Sequence, residues 1–108
     1  MRRGDVVTVA VSGDYGTPRP AVVVQTDLLN DTHESVVVCL VTSLVVDAPL
    51  LRLTVEPSPR NGLRRRSQIM VDKVVSVRRA KIGSRVGTLD DETMLGLSRA
   101  LAFVMGLG

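Results

Sequence analysis

Twenty of the 108 residues are valine, and twelve of those stand in runs of two or three. β-Branched side chains lose rotamer freedom in a helix and pack well on a pleated surface, so such a stock commits most of the chain to sheet. The runs are also short. The longest unbroken apolar stretches, residues 36–41 and 100–105, are six residues each, whereas a membrane-spanning helix needs ~20. Arg2 and Arg3 precede Gly4 and Asp5 rather than a long apolar segment, so neither a membrane span nor a signal peptide is expected.

Residues 5–11 (D-V-V-T-V-A-V) predict a first strand, residues 12–19 a Gly- and Pro-bearing loop, and residues 20–25 (P-A-V-V-V-Q) a second strand buried on both faces. Residues 26–34 are polar and turn-rich. Residues 35–43 form the most hydrophobic strand, expected at the centre of the sheet, and the alternation L-R-L-T-V-E over 51–56 predicts a half-exposed one. After the turn P-S-P-R-N-G come two short strands, 67–71 and 73–79. The period changes only at the end, where Met94, Leu97, Leu101 and Val104 lie three or four apart, the stripe of an amphipathic helix. Thr88 or Asp90 is its expected N-cap and Gly106 its stop. The fold class is therefore mainly β: a small curled barrel of five or six strands with one C-terminal helix.

The residue inventory excludes several functions. One cysteine, Cys39, and one histidine, His33, rule out a disulfide framework, a zinc knuckle and a two-histidine nuclease, and suit a reducing cytoplasm. Two aromatics, Tyr15 and Phe103, are too few for a base-stacking platform. Charge is lopsided. Residues 1–54 carry four basic and six acidic side chains, net −2; residues 55–108 carry ten and five, net +5. Nine of those ten lie between Arg60 and Arg85 against the single Asp72, the footprint of a phosphate-rich partner or a solvated sheet edge guarded by cations.

The loop before the second strand holds Asp14, Tyr15, Gly16 and Arg19, with Pro18 and Pro20 on either side of the arginine. Proline fixes its own φ and restricts its predecessor. A guanidinium on so stiff a segment is pre-organised for paired hydrogen bonds to a phosphate; taken by itself, though, the segment favours a rigid turn with a solvated charge, because turn chemistry alone explains the prolines.

The order of motifs along the chain resembles the MazF/PemK family of toxin endoribonucleases. G-D-V-V-T-V looks like that family's opening strand, and Arg19-Pro20-Ala21-Val22-Val23-Val24 its Arg-Pro strand. Asp14-Tyr15 stands where the family has Glu-Gln. Val41-Thr42-Ser43 matches its Thr position, Gln68-Ile69 its short Gln-containing strand, and Thr88-Leu89-Asp90-Asp91-Glu92 its helix start. The resemblance implies a single SH3-like, CcdB-type domain over residues 1–108 that forms a cytoplasmic homodimer. It also implies a toxin that cuts single-stranded RNA without metal or other cofactor, and that is neutralised by a cognate acidic antitoxin. The 2′-hydroxyl would attack the neighbouring phosphorus, leaving a 2′,3′-cyclic phosphate and a 5′-hydroxyl.

On that reading Arg19 and Thr42 stabilise the reacting phosphoryl group and Asp14 is the candidate base. Tyr15, Ser43, Gln68, Arg64, Arg65 and Arg78 are candidate substrate contacts. For Gln68 a solvent-facing strand position is the alternative. A non-catalytic relative on the same fold, either a gyrase-inhibiting toxin or a nucleic-acid-binding module, is the alternative function. The Arg-Pro strand and Thr42 favour the nuclease.

Overall fold

The computed structural model describes residues 1–10 and 17–108; Asp14, Tyr15 and the end of the first expected strand lie outside the described residues. Among the described residues six strands form one antiparallel sheet: β1 (Asp5–Val9), β2 (Arg19–Val23), β3 (Ser35–Thr42), β4 (Arg52–Val55), β5 (Ser67–Arg78) and β6 (Ile82–Thr88). Their order is β4-β5-β3-β2-β1-β6. The hydrophobic strand β3 is central, and half-exposed β4 is an edge. A four-residue helix α1 (Asp27–Asn30) sits in the polar segment, and α2 (Asp91–Val104) follows the sheet.

Valines come in runs because the curled sheet buries both faces. Successive side chains point to opposite sides, and each side has its own core. Val6, Val22, Cys39, Val41, Ile69 and Val71 pack under Leu97 and Leu101 of α2. Val7, Val9, Ala21, Val23, Val36 and Val38 form a second cluster with Val75, Val77 and Ile82. Asp90 caps α2 by accepting from the Thr93 amide at 2.7 Å, with Asp91 and Glu92 in the first turn. Gly106, at φ +72°, ends it: its amide donates to the Phe103 carbonyl and that of Leu107 to Ala102, a Schellman motif.

Two expectations are corrected, and one turn-rich segment gains a short helix. The short strands 67–71 and 73–79 are one strand, β5, interrupted by a bulge. Val41 pairs with Ile69 and Cys39 with Val74, so Leu40 alone faces residues 70–73, and exposed Asp72 marks the excess. The missing strand is β6, whose I-G-S-R-V-G-T sequence has two glycines and little apolar alternation; its pairing with β1 makes it a strand. The segment 26–34 holds α1, with Thr26 Oγ1 accepting from the Leu28 amide.

The edge strands β4 and β6 do not pair, so the sheet is barrel-like rather than closed. The turn after β4 spans the gap: the Thr88 amide donates to the Arg60 carbonyl at 2.9 Å. Backbone approaches so closely there that a Cβ on Gly87 would lie 2.2 Å from the Asn61 carbonyl carbon.

Candidate active site

Cross-strand register assembles the site. In β2–β3, Ala21 faces Leu40, Val22 faces Cys39 and Val23 faces Val38; the same register two residues further sets Arg19 opposite Thr42. Thr42 in turn faces Gln68 on β5, and Gln68 faces Thr54 on β4. Residues opposite one another share a face of the sheet. A polar row Arg19–Thr42–Gln68–Thr54 therefore crosses four strands on the face that, further along, buries Ala21, Val23, Val36 and Val38.

Arg19 and Thr42 line one cleft of about 360 Å³ with Ser43, Arg64 and Arg65. Among its described lining residues three are arginine and none is acidic. Arg19 and Thr42 are half-buried; Ser43, Arg64 and Arg65 are exposed. Thr42 Oγ1 accepts from the Leu44 amide at 3.1 Å, which orients the oxygen and leaves the hydroxyl proton to donate into the cleft. Asn61 shapes the turn that delivers the two arginines. Its Oδ1 accepts from the Ser58 and Leu63 amides, both at 3.0 Å, and its Nδ2 donates to the Glu56 carbonyl at 2.8 Å. Ser67 Oγ donates to the Arg65 carbonyl at 2.8 Å and pins the backbone beside the cleft.

The basic stretch divides by partner. Arg66 pairs with Glu56 at 2.8 Å and Arg85 with Asp5 at 3.2 Å, while Arg79 donates twice to the His33 carbonyl. Arg64 and Arg65 are the members of the stretch that line the cleft.

Two expected substrate contacts are not among the residues that line this cleft. Arg78 lies opposite Ser35 at the far end of the β3–β5 ladder, roughly 23 Å along the strand from Thr42 at ~3.3 Å per residue. It borders a separate depression with His33 and Glu34. Gln68 is only 3% exposed, so it does not face solvent, and its carboxamide is engaged within the protein. Its Oε1 accepts from the Val46 amide at 3.1 Å, and its Nε2 donates to the Val46 carbonyl at 3.0 Å and to Thr54 Oγ1 at 3.2 Å.

Thr8, absent from the sequence-derived candidates, also lines the cleft; its Oγ1 accepts from the Ser84 amide at 3.0 Å. The signal was the one polar residue between the valines of β1. Cys39 is fully buried, and loss of solvent pushes its thiol up to about 11, so it is a core residue and not a nucleophile.

A small antiparallel, barrel-like β protein with one C-terminal helix and a cationic, hydroxyl-bearing cleft is the class these features define. The sequence places it within that class. Residues 2–105 match the model of the PemK-like, MazF-like toxin of type II toxin–antitoxin systems, and the chain belongs to that family. It is 44% identical over 108 residues to the probable endoribonuclease MazF of Mycolicibacterium smegmatis, covering 99% of this chain and 98% of the relative. It is 26% identical to endoribonuclease EndoA of Bacillus subtilis, covering 99% and 96%.

Solved structures agree in fold. An endoribonuclease in complex with its cognate antitoxin from a mycobacterial species superposes with a TM-score of 0.85 at 21% identity, covering 100% of this chain and 97% of that one. A MazE–MazF structure from Deinococcus radiodurans gives 0.82 at 19% identity, with the same coverage.

Proposed function

We propose that this chain, as one domain, is a toxin endoribonuclease that cuts single-stranded RNA in the cytoplasm through Arg19 and Thr42. The observation that carries this reading is the convergence of a half-buried arginine and an oriented hydroxyl in one cleft flanked by Arg64 and Arg65. Cleavage by the neighbouring 2′-hydroxyl asks the protein mainly to stabilise charge on the phosphorane, which pre-organised donors do without reorganising.

The O2′–H bond breaks as O2′ bonds to phosphorus, and Asp14 takes that proton. Arg19 and Thr42 hold the non-bridging oxygens. The P–O5′ bond then breaks, and the 5′ oxygen is protonated from solvent. A guanidinium with a pKa above ~12 is a poor acid, so Arg19 acts as a fixed cation. The products are a 2′,3′-cyclic phosphate and a 5′-hydroxyl. Arg64 and Arg65 draw in phosphates irrespective of sequence; Ser43, which lines the cleft, and by resemblance Tyr15 are the remaining substrate contacts of this reading.

The family points further to a homodimer and to a cognate antitoxin, and the mycobacterial endoribonuclease above is in complex with such an antitoxin. An acidic antitoxin tail folding onto Arg64 and Arg65 would occupy the RNA cleft.

The test is to incubate the protein with long single-stranded RNA in EDTA and map fragment ends. Discrete cuts with cyclic-phosphate termini are expected. Arg19→Ala and Thr42→Val are each expected to lower kcat by about 10²–10³, the loss typical for removing one transition-state donor. Intact RNA that is still bound would refute the enzyme and leave a binding module; cutting unaltered in both variants would refute the site.

A further inference from the structure

Beyond Thr42 the chain leaves the sheet with Leu44 73%, Val45 40% and Val46 43% exposed. No apolar burial of these side chains accounts for the path of this segment. Two sets of hydrogen bonds do. The Leu44 amide donates to Thr42 Oγ1, and the Val46 amide and carbonyl are both taken by the Gln68 side chain. A carboxamide carries one acceptor and two donors, so it can pair with a backbone residue as a neighbouring strand would. Gln68 does this from a buried position opposite Thr42, and its second N–H is spent on Thr54 Oγ1, which fixes its rotamer.

We propose that Gln68 is a positioning residue for the cleavage reaction: by clamping Val46 it holds the Leu44 amide on Thr42 Oγ1 and so aims the Thr42 hydroxyl at the phosphoryl group. The inference rests on the role proposed for Thr42. It replaces base reading by Gln68 with control of a catalytic group that Gln68 faces across the ladder.

A double-mutant cycle on a single-stranded RNA oligonucleotide containing one mapped cut site tests it, measuring kcat and KM for wild type, Gln68→Met, Thr42→Val and the double variant. Methionine keeps the length of the side chain and removes all three hydrogen bonds. Gln68→Met is expected to lower kcat by about 10- to 100-fold, the range that misplacement of a catalytic group by an ångström or less produces, with KM held within about twofold. In the Thr42→Val background the same change should cost nothing further.

Losses that multiply, a change in KM alone, or an unaltered kcat would each overturn the inference. Should Thr42→Val itself leave kcat unchanged, the active-site reading fails first and takes the inference with it. If Gln68→Met does not fold, Leu44→Pro removes the amide hydrogen on Thr42 Oγ1 from an exposed position. It must show the same selective loss of kcat, and normal turnover there would overturn the proposal.

Discussion

Gly87→Ala isolates the contact that holds the two sheet edges together. The added methyl would lie 2.2 Å from the Asn61 carbonyl carbon, 2.3 Å from its oxygen and 2.5 Å from the Arg60 oxygen. All three are backbone atoms, so no side chain can rotate away, and β6 must separate from the turn. Separation breaks the Thr88 amide to Arg60 carbonyl bond, about 1 kcal/mol, and overpacking adds about 1–3 kcal/mol. The sum is about 2–4 kcal/mol. An unfolding entropy of about 2.1 cal/mol/K per residue amounts to about 0.23 kcal/mol/K for this chain, so Tm should fall by about 9–17 °C.

Gly83→Ala is the internal control. Its methyl meets Thr8 Oγ1 at 2.5 Å, a side-chain atom able to turn aside at the cost of its exposed hydrogen bond from the Ser84 amide, so its Tm should fall by clearly less. Thermal unfolding followed by circular dichroism reads both. Equal shifts in the two variants, or a Gly87→Ala loss below about 3 °C, would refute the bridging contact as a determinant of stability.

Further expectations follow from the site and the core. Arg64→Gln and Arg65→Gln should each reduce the salt slope of single-stranded RNA binding by about 0.7, while Arg78→Gln, at the other end of the ladder, should leave it unchanged; fluorescence titration across salt concentrations distinguishes them. Cys39 should resist a thiol reagent in the folded protein, because it is buried and its pKa of about 11 leaves little thiolate near neutrality. Its labelling rate in increasing urea should therefore track unfolding.

The Asp90 carboxyl is held below its ordinary 3.8 by the Thr93 amide, and that of Asp27 by the Arg3 amide and Asn30. A depressed folded pKa means that the stabilisation is present above 3.8 and is lost as pH falls through the lower folded values. Asp90→Asn keeps a capping oxygen but nothing to titrate. Its Tm should fall less steeply than wild type below pH 3.8, and identical acid limbs would contradict the assignment.

Local signals were legible wherever one segment decided its own structure. The valine runs placed β1, β2 and β3, the turn P-S-P-R-N-G separated β4 from β5, and the spacing of Met94, Leu97, Leu101 and Val104 placed α2 with Asp90 as its cap. Resemblance then brought Arg19 and Thr42 forward as candidates, and the structure lines one cleft with both.

Pairing between distant segments decided the rest. β6 is a strand because β1 offers it a ladder, despite a sequence with two glycines. Arg78 leaves the cleft because β5 runs on as one strand past its bulge, carrying the arginine to the far end. Gln68 becomes a buried clamp because Thr54, Thr42 and Val46 reach it from separate parts of the chain. Side-chain period and turn chemistry are written within a few residues, so the sequence alone settled the class and the elements β1–β4 and α2. Register sums contacts across the whole sheet, so only the tertiary structure determined which side chains share the cleft.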